Sequence, residues 1–182
     1  MKKWWTVLLI LALIFLLSTY GFIGGVRDIR RKLPKHPTKR FGRRKKSQIK
    51  GIVLHHTAGD ANDSPWDIAD YHVGPNHISS TGTPGINYTL VIDQHAKIYC
   101  CNDIENITWH VSGKNTENAS ICVIGNFELT EPSAAQLRAI KIGKRWLEMK
   151  VGRSLPMKGH DQACGSCTKC PGENLKAAMN YA

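Results

Sequence analysis

Three stretches of this sequence carry side chains that bind metals or move protons. LHHTAG puts His55 and His56 at the end of an apolar run, TWHVSG puts His110 after Trp109, and GHDQACGSCTKCPG sets His160 ten residues before Cys170. Imidazole and thiolate are preferred zinc ligands, and a catalytic zinc keeps three protein ligands and one open position for water. Two histidines and one cysteine would make such a set. Ligands at a strand end are held rigidly, which zinc geometry favours. On spacing alone, residues this far apart need not meet.

The remaining candidates sort by their surroundings. Neighbours on a strand point to opposite faces, so only one residue of the His55–His56 pair can face a given site, and His56 is assigned to the other face. His72, His77 and His95 read as surface or loop residues. Cys164, Cys167 and Cys170 follow a C-x2-C-x2-C spacing, part of an iron–sulfur run, but the fourth cysteine would fall at Asn174. A Cys164–Cys167 disulfide tightening the loop between His160 and Cys170 is the expected use of that pair. The alternative is a pair of buried thiols.

These residues need a scaffold, and the patterning supplies one. IKGIVLHH is a short β-branched-rich strand. SPWDIADYH is a helix with Ser64 as N-cap and Pro65 in its first turn. HISSTGTPG is a turn-rich loop, and INYTLVID, AKIYCC and ASICVIGNF are three more strands. A long helix is expected from about Pro132 to Lys150, with Ala135, Ala139, Ile142, Trp146 and Met149 as its apolar stripe and Thr130 as its cap. A short helix ends the chain. Strands mixed with helices in this order predict one α/β domain, a small central sheet packed by helices.

Charge divides the chain further. Residues 27–50 hold twelve Lys/Arg against one acid, whereas residues 51–182 hold eleven against thirteen. The basic surplus therefore falls in a stretch that reads as a solvated linker, and a nucleic-acid partner, which would want a basic face on the domain itself, is not expected. That stretch could also touch anionic headgroups or acidic wall polymers. Residues 4–26 carry no charge and suffice for a membrane span, with Trp4 and Trp5 at one end and Tyr20 at the other. The predicted organisation is a membrane anchor or signal segment at 1–26, a basic linker at 27–49 and the chemical domain at 50–182.

Taken in order, IVLHHTAG, GINYTLVIDQHAKIY, TWHVSG, SICVIGNF and GHD…TKCPG resemble the zinc-dependent amidase family that includes phage lysozyme-type amidases and peptidoglycan recognition proteins. The likeness covers about residues 50–176. It implies a central mixed β-sheet flanked by helices, one Zn²⁺ in a surface groove, and hydrolysis of the amide between N-acetylmuramic acid and L-alanine in peptidoglycan. Residue by residue, it implies His55, His160 and Cys170 as the metal set, Tyr88 as an active-site hydroxyl, and His110 as a substrate-contacting or transition-state residue. Thr168, two residues before the ligand cysteine, is favoured over Lys169 as the catalytic residue at that place, because on an extended segment Lys169 would turn away from the metal. The glutamate base of some relatives is absent here, its place falling near Ile124.

Zinc in that set would lower the pKa of its water to roughly 7 and polarise the amide carbonyl, while Tyr88 and His110 serve the oxyanion or carry protons. The alternative is a peptidoglycan-binding module without catalysis, in which the cysteine ligand would be dispensable. A monomer is expected. Function places the domain on the cell-wall side of the membrane, or secreted if residues 1–26 are cleaved, although eleven Lys/Arg between Arg27 and Lys46 would by the positive-inside rule hold it in the cytoplasm.

Overall fold

The computed structural model describes residues 25–179. Among these the chain runs β1 (Val26–Asp28), β2 (Gly42–Arg43), a 3-10 turn (Lys46–Gln48), β3 (Gly51–His56), α1 (Pro65–Val73), β4 (Leu90–Ile92), β5 (Ile98–Cys100), β6 (Asn106–Ile107), β7 (Asn118–Val123), α2 (Ala134–Val151), β8 (Met157–Gly159), α3 (His160–Cys164) and α4 (Glu173–Met179). Six strands form one mixed sheet in the order β1-β5-β4-β7-β3-β8, antiparallel only between β4 and β5. β2 and β6 pair separately. The expected α/β architecture is present. No helix among the described residues is long and apolar enough to cross a membrane. The expected anchor lies almost wholly outside them.

β3 lies between β7 and the edge strand β8, and all six of its residues are buried. Its alternation divides the core. Leu54 packs with Leu90, Ile121, Ala139, Ile140 and Leu147 on the side covered by α2. The opposite side holds Val91, Cys122, Ile68 and Ala69, the last two from α1. His55 pairs in register with Cys122 and so belongs to the α1 side, whereas His56 accepts a hydrogen bond at Nδ1 from Phe127 N–H at 3.2 Å on the α2 side.

Local signals act where the sequence put them in α1. Ser64 Oγ accepts from Asp67 N–H, and Asp67 returns a carboxylate oxygen to Ser64 N–H at 2.8 Å. α2 is capped by Ser133, not Thr130, whose hydroxyl instead donates to the Asn126 carbonyl. Its buried face is also displaced from the expected stripe: Gln136, Ala139, Ile140, Gly143 and Leu147 are buried, while Met149 is exposed. Gly143 sets this face, because a Cβ there would press on Leu90 and Ile121 at 3.3 and 3.4 Å, so its bare backbone lets the helix lie close on the sheet.

The largest departure concerns residues 27–49, expected to be a solvated linker. They are folded onto the domain. β1 pairs in parallel with β5, Ile29 and Leu33 are buried, and Lys39 Nζ donates to the Thr81 carbonyl and hydroxyl at 2.9 and 2.7 Å. The sparse apolar residues of this segment are the ones that anchor it, a pattern masked by the charge between them. Apart from Arg44, which is buried, its basic residues therefore belong to the domain surface, which removes the premise on which the charge argument set the domain apart.

Candidate metal centre

Register brings the first two candidates together. β3 and β8 run parallel with Leu54 opposite Gly159, so His55, the next residue of β3, and His160, the first residue of α3, follow side by side. Their rings lie 4.6 Å apart. Cys170 arrives from the loop after α3, its Sγ 3.6 Å from His55 Nδ1. Asp161 N–H donates to the Cys170 carbonyl at 2.9 Å and ties that loop to the start of α3. One donor atom from each of His55, His160 and Cys170 lies within 4.8 Å of the others.

Two close approaches hold the loop there. Gly172 has φ +90, and a Cβ would sit 2.5 Å from the Phe127 carbonyl carbon, so glycine is required beside Cys170. Thr168 Oγ1 accepts from Cys170 N–H at 3.1 Å, which fixes the backbone of the cysteine. Lys169 points away, its side chain 81% exposed and its ammonium 3.6 Å from Glu128.

Behind His55 stands His110, and its two ring nitrogens are both engaged. Nε2 lies 3.2 Å from the Asn118 carbonyl, and Nδ1 lies 3.0 Å from His55 Nε2. A carbonyl only accepts, so His110 Nε2 carries the proton. Burial pushes the His110 pKa down to about 3 against the pull of the Asn118 carbonyl, with the Arg44 charge adding to the fall. Neutral His110 thus offers a lone pair at Nδ1, His55 donates from Nε2, and the lone pair of His55 is left at Nδ1, facing Cys170. His110 is buried behind His55, with both of its ring nitrogens engaged.

Arg44 completes this layer. Its guanidinium donates to the carbonyls of Ile104, Thr116 and Asn118 at 3.0, 3.2 and 2.6 Å, and also to that of Asn115. Asn115 Oδ1 in turn accepts from the backbone N–H groups of His110 and Val111 at 2.9 and 2.7 Å. One arginine from the supposed linker therefore pins the loop that carries His110.

The electrostatics keep the two imidazole donors neutral, ready for a cation. Burial first, then the neighbouring His110 and His160, keeps His55 well below the ordinary imidazole range. Burial also lowers His160, with Asp161 opposing. Burial pushes the Cys170 thiol up to about 12, so a bound cation would have to displace that proton.

Tyr88 lies just before β4, its ring 5.3 Å from that of His55. It opens on a cavity of about 370 Å³ whose lining includes Thr57, Asp63, Asp67, Tyr71 and His72. His72 was expected at the surface and is 3% exposed. It lies on the inner face of α1 one turn beyond Ile68, a spacing that could have placed it there.

Burial, reinforced by His77, holds His72 at about 4 rather than 6.5. The folded pKa is depressed, so the stability from neutral His72 is complete above about pH 6.5 and lost as pH falls through about 4. The unfolding free energy of His72→Gln should therefore converge on that of the parent by on the order of 2 kcal/mol between pH 7.5 and pH 4. Urea titrations at both pH values measure this, and a pH-independent difference would refute it.

A family model described as N-acetylmuramoyl-L-alanine amidase matches residues 45–173. The chain belongs to this amidase family. Peptidoglycan-recognition protein SC2 of Drosophila simulans is 26% identical over 138 residues, 71% of each chain. Among solved structures, an endolysin from a Thermus scotoductus bacteriophage superposes with TM-score 0.68 at 21% identity, over 85% of this chain and 97% of its own. Peptidoglycan recognition protein LE, solved with a monomeric diaminopimelic acid-type peptidoglycan, superposes with TM-score 0.73 at 19% identity, over 87% and 94%. At these identities the structures show the shared fold. The amidase family match begins at Lys45, inside the segment expected to be a linker.

Proposed function

We propose that this protein is a zinc-dependent N-acetylmuramoyl-L-alanine amidase that hydrolyses the amide between N-acetylmuramic acid and L-alanine in peptidoglycan. The observation that carries this reading is the convergence of His55 Nδ1, a His160 ring nitrogen and Cys170 Sγ within 4.8 Å. An N₂S donor set with imidazoles held neutral fits zinc, and a 3.6 Å nitrogen–sulfur separation is close to the edge of a tetrahedron with bonds of about 2.0–2.3 Å. Zinc held there would supply Lewis acidity toward the amide carbonyl and lower the pKa of water.

The chain's own residues supply the rest. His110 keeps the His55 lone pair at Nδ1, and Thr168 holds the Cys170 backbone. Burial raises the Tyr88 phenol well above 10, so its hydroxyl stays protonated and can donate to a developing oxyanion. The cavity beside α1 gives the stem peptide a place to lie against Tyr88. The likeness to recognition proteins favours a second reading, a binding module without catalysis; Cys170, poised with both histidines, weighs against it.

Full-length protein loaded with zinc, incubated with purified peptidoglycan, should release stem peptides bearing a new free L-alanine amine, detected by mass spectrometry. Tyr88→Phe should cut that release by about 10²-fold while keeping the metal. Zinc-loaded, folded parent protein that releases nothing would leave the binding module.

The domain is further proposed to act on the cell-wall side of a membrane that the uncharged run ahead of β1 enters. Support comes from that uncharged run and from the Cys164–Cys167 disulfide, a bond that persists in oxidising compartments. An anchored protein should resist an alkaline carbonate wash of membranes, and release into the wash would exclude the anchor.

A further inference from the structure

His160 belongs to two donor groups. Beside the centre just described, a ring nitrogen of His160 and the sulfurs of Cys164 and Cys167 also lie within 4.8 Å of one another. The two sulfurs are joined in a disulfide, with Cα atoms 5.7 Å apart. We propose that reduction of Cys164–Cys167 opens a second metal site, His160–Cys164–Cys167, for a thiophilic divalent cation, and that this site competes with the hydrolytic centre for His160. The competition rests on the reading of His160 as a ligand of that centre.

Three features carry the inference. Gly165 and Ser166 both have positive φ, 72° and 67°, and fold the segment so that Cys164 and Cys167 meet in the C-x2-C spacing of zinc-binding turns. Cys167 N–H donates to Cys164 Sγ at 3.1 Å, a contact that favours the charged thiolate once the bond is broken. Cys167 is exposed and Cys164 half-buried, so an external thiol can reach the pair.

The redox step is ordinary thiol–disulfide exchange with a dithiol as reductant. Its thiolate attacks Cys167 Sγ, the Cys164–Cys167 bond breaks, and Cys164 leaves as thiolate. The second thiol of the reductant then displaces Cys167 and closes a disulfide in the reductant. Two electrons pass to the protein, which gains two thiols. Paired thiolates with one imidazole make an N₁S₂ set that is softer than the N₂S set of the centre, and thiophilic metals follow that preference. The centre would keep His160 to itself only where disulfides persist, so a wall-cutting activity would be held off in a reducing compartment.

Cobalt(II) tests this, because thiolate-to-cobalt charge-transfer absorbance scales with the number of thiolates bound. Full-length protein in detergent is titrated with Co²⁺ oxidised, and again after reduction by a water-soluble phosphine that is then removed without air. Oxidised parent should show one thiolate per cobalt, and reduced parent an intensity roughly twofold higher. Cys164→Ser/Cys167→Ser should give the one-thiolate spectrum under both conditions. Cys170→Ser should show no thiolate band when oxidised and a two-thiolate band when reduced.

Identical spectra for the reduced parent and the reduced double variant would overturn the proposal, as would loss of the far-ultraviolet circular dichroism on reduction. No band from the oxidised parent would instead overturn the zinc reading of His55, His160 and Cys170. The reduced Cys170→Ser protein would still decide the second site.

Discussion

Replacing Cys170 with Ser should abolish tight zinc binding in the oxidised protein and lower stem-peptide release by about 10³-fold or more. The metal contributes several kcal/mol of charge stabilisation, and each 1.4 kcal/mol is about tenfold in rate. Cys170 has no substitute within the centre, because Lys169 is turned to Glu128 and the Cys164 and Cys167 sulfurs are bonded to each other. His110→Ala should act more mildly, by about 10–100-fold in metal affinity or activity, since it removes the partner that holds His55 in register without removing a donor. Zinc content by mass spectrometry, measured beside activity, separates the two. Full activity in zinc-free Cys170→Ser would remove the metal from the mechanism, and equal losses for both variants would put His110 among the donors.

The second large effect is expected from a residue outside any sequence motif. Arg44→Met keeps the aliphatic stem and removes the guanidinium, leaving the carbonyls of Ile104, Asn115, Thr116 and Asn118 short of a donor. Arg44 is 4% exposed, so little water can replace it. Burial depresses its pKa to about 10, well above neutral pH, so the bonds are charge-assisted. The expected loss is about 3 kcal/mol of stability, or roughly 6–12 °C in melting temperature. Because the same loop seats His110, metal affinity should fall with it. Thermal melts of parent and variant check the first effect; a shift of less than about 2 °C would mean that the loop holds itself.

Much of the scaffold was legible because short-range physics specified it. The capping box of α1 lies within four residues, and the alternation of β3 assigns His55 and His56 to opposite faces without reference to the rest of the chain. Other elements depended on partners far away. β8 is a three-residue strand whose sequence, Met157–Gly159, carries no strand pattern; its place beside Leu54 is what aligns His160 with His55. Segment 27–49 misled for a related reason. Composition averages its charge, whereas folding uses a few residues, Ile29, Leu33 and the aliphatic stem and guanidinium of Arg44.

The sequence by itself determined which candidate donors this protein carries: two histidines and a cysteine, in motifs whose order resembles that of the amidase family, with Tyr88 between them. Tertiary structure decided how they are used. Parallel register sets His55 beside His160, the close approach of Gly172 to Phe127 delivers Cys170, and Asn118 and Arg44 fix the proton of His110. The physical reason is range. A donor's chemical type is a property of one residue, but which nitrogen keeps its lone pair depends on hydrogen bonds between segments that only the folded sheet brings together.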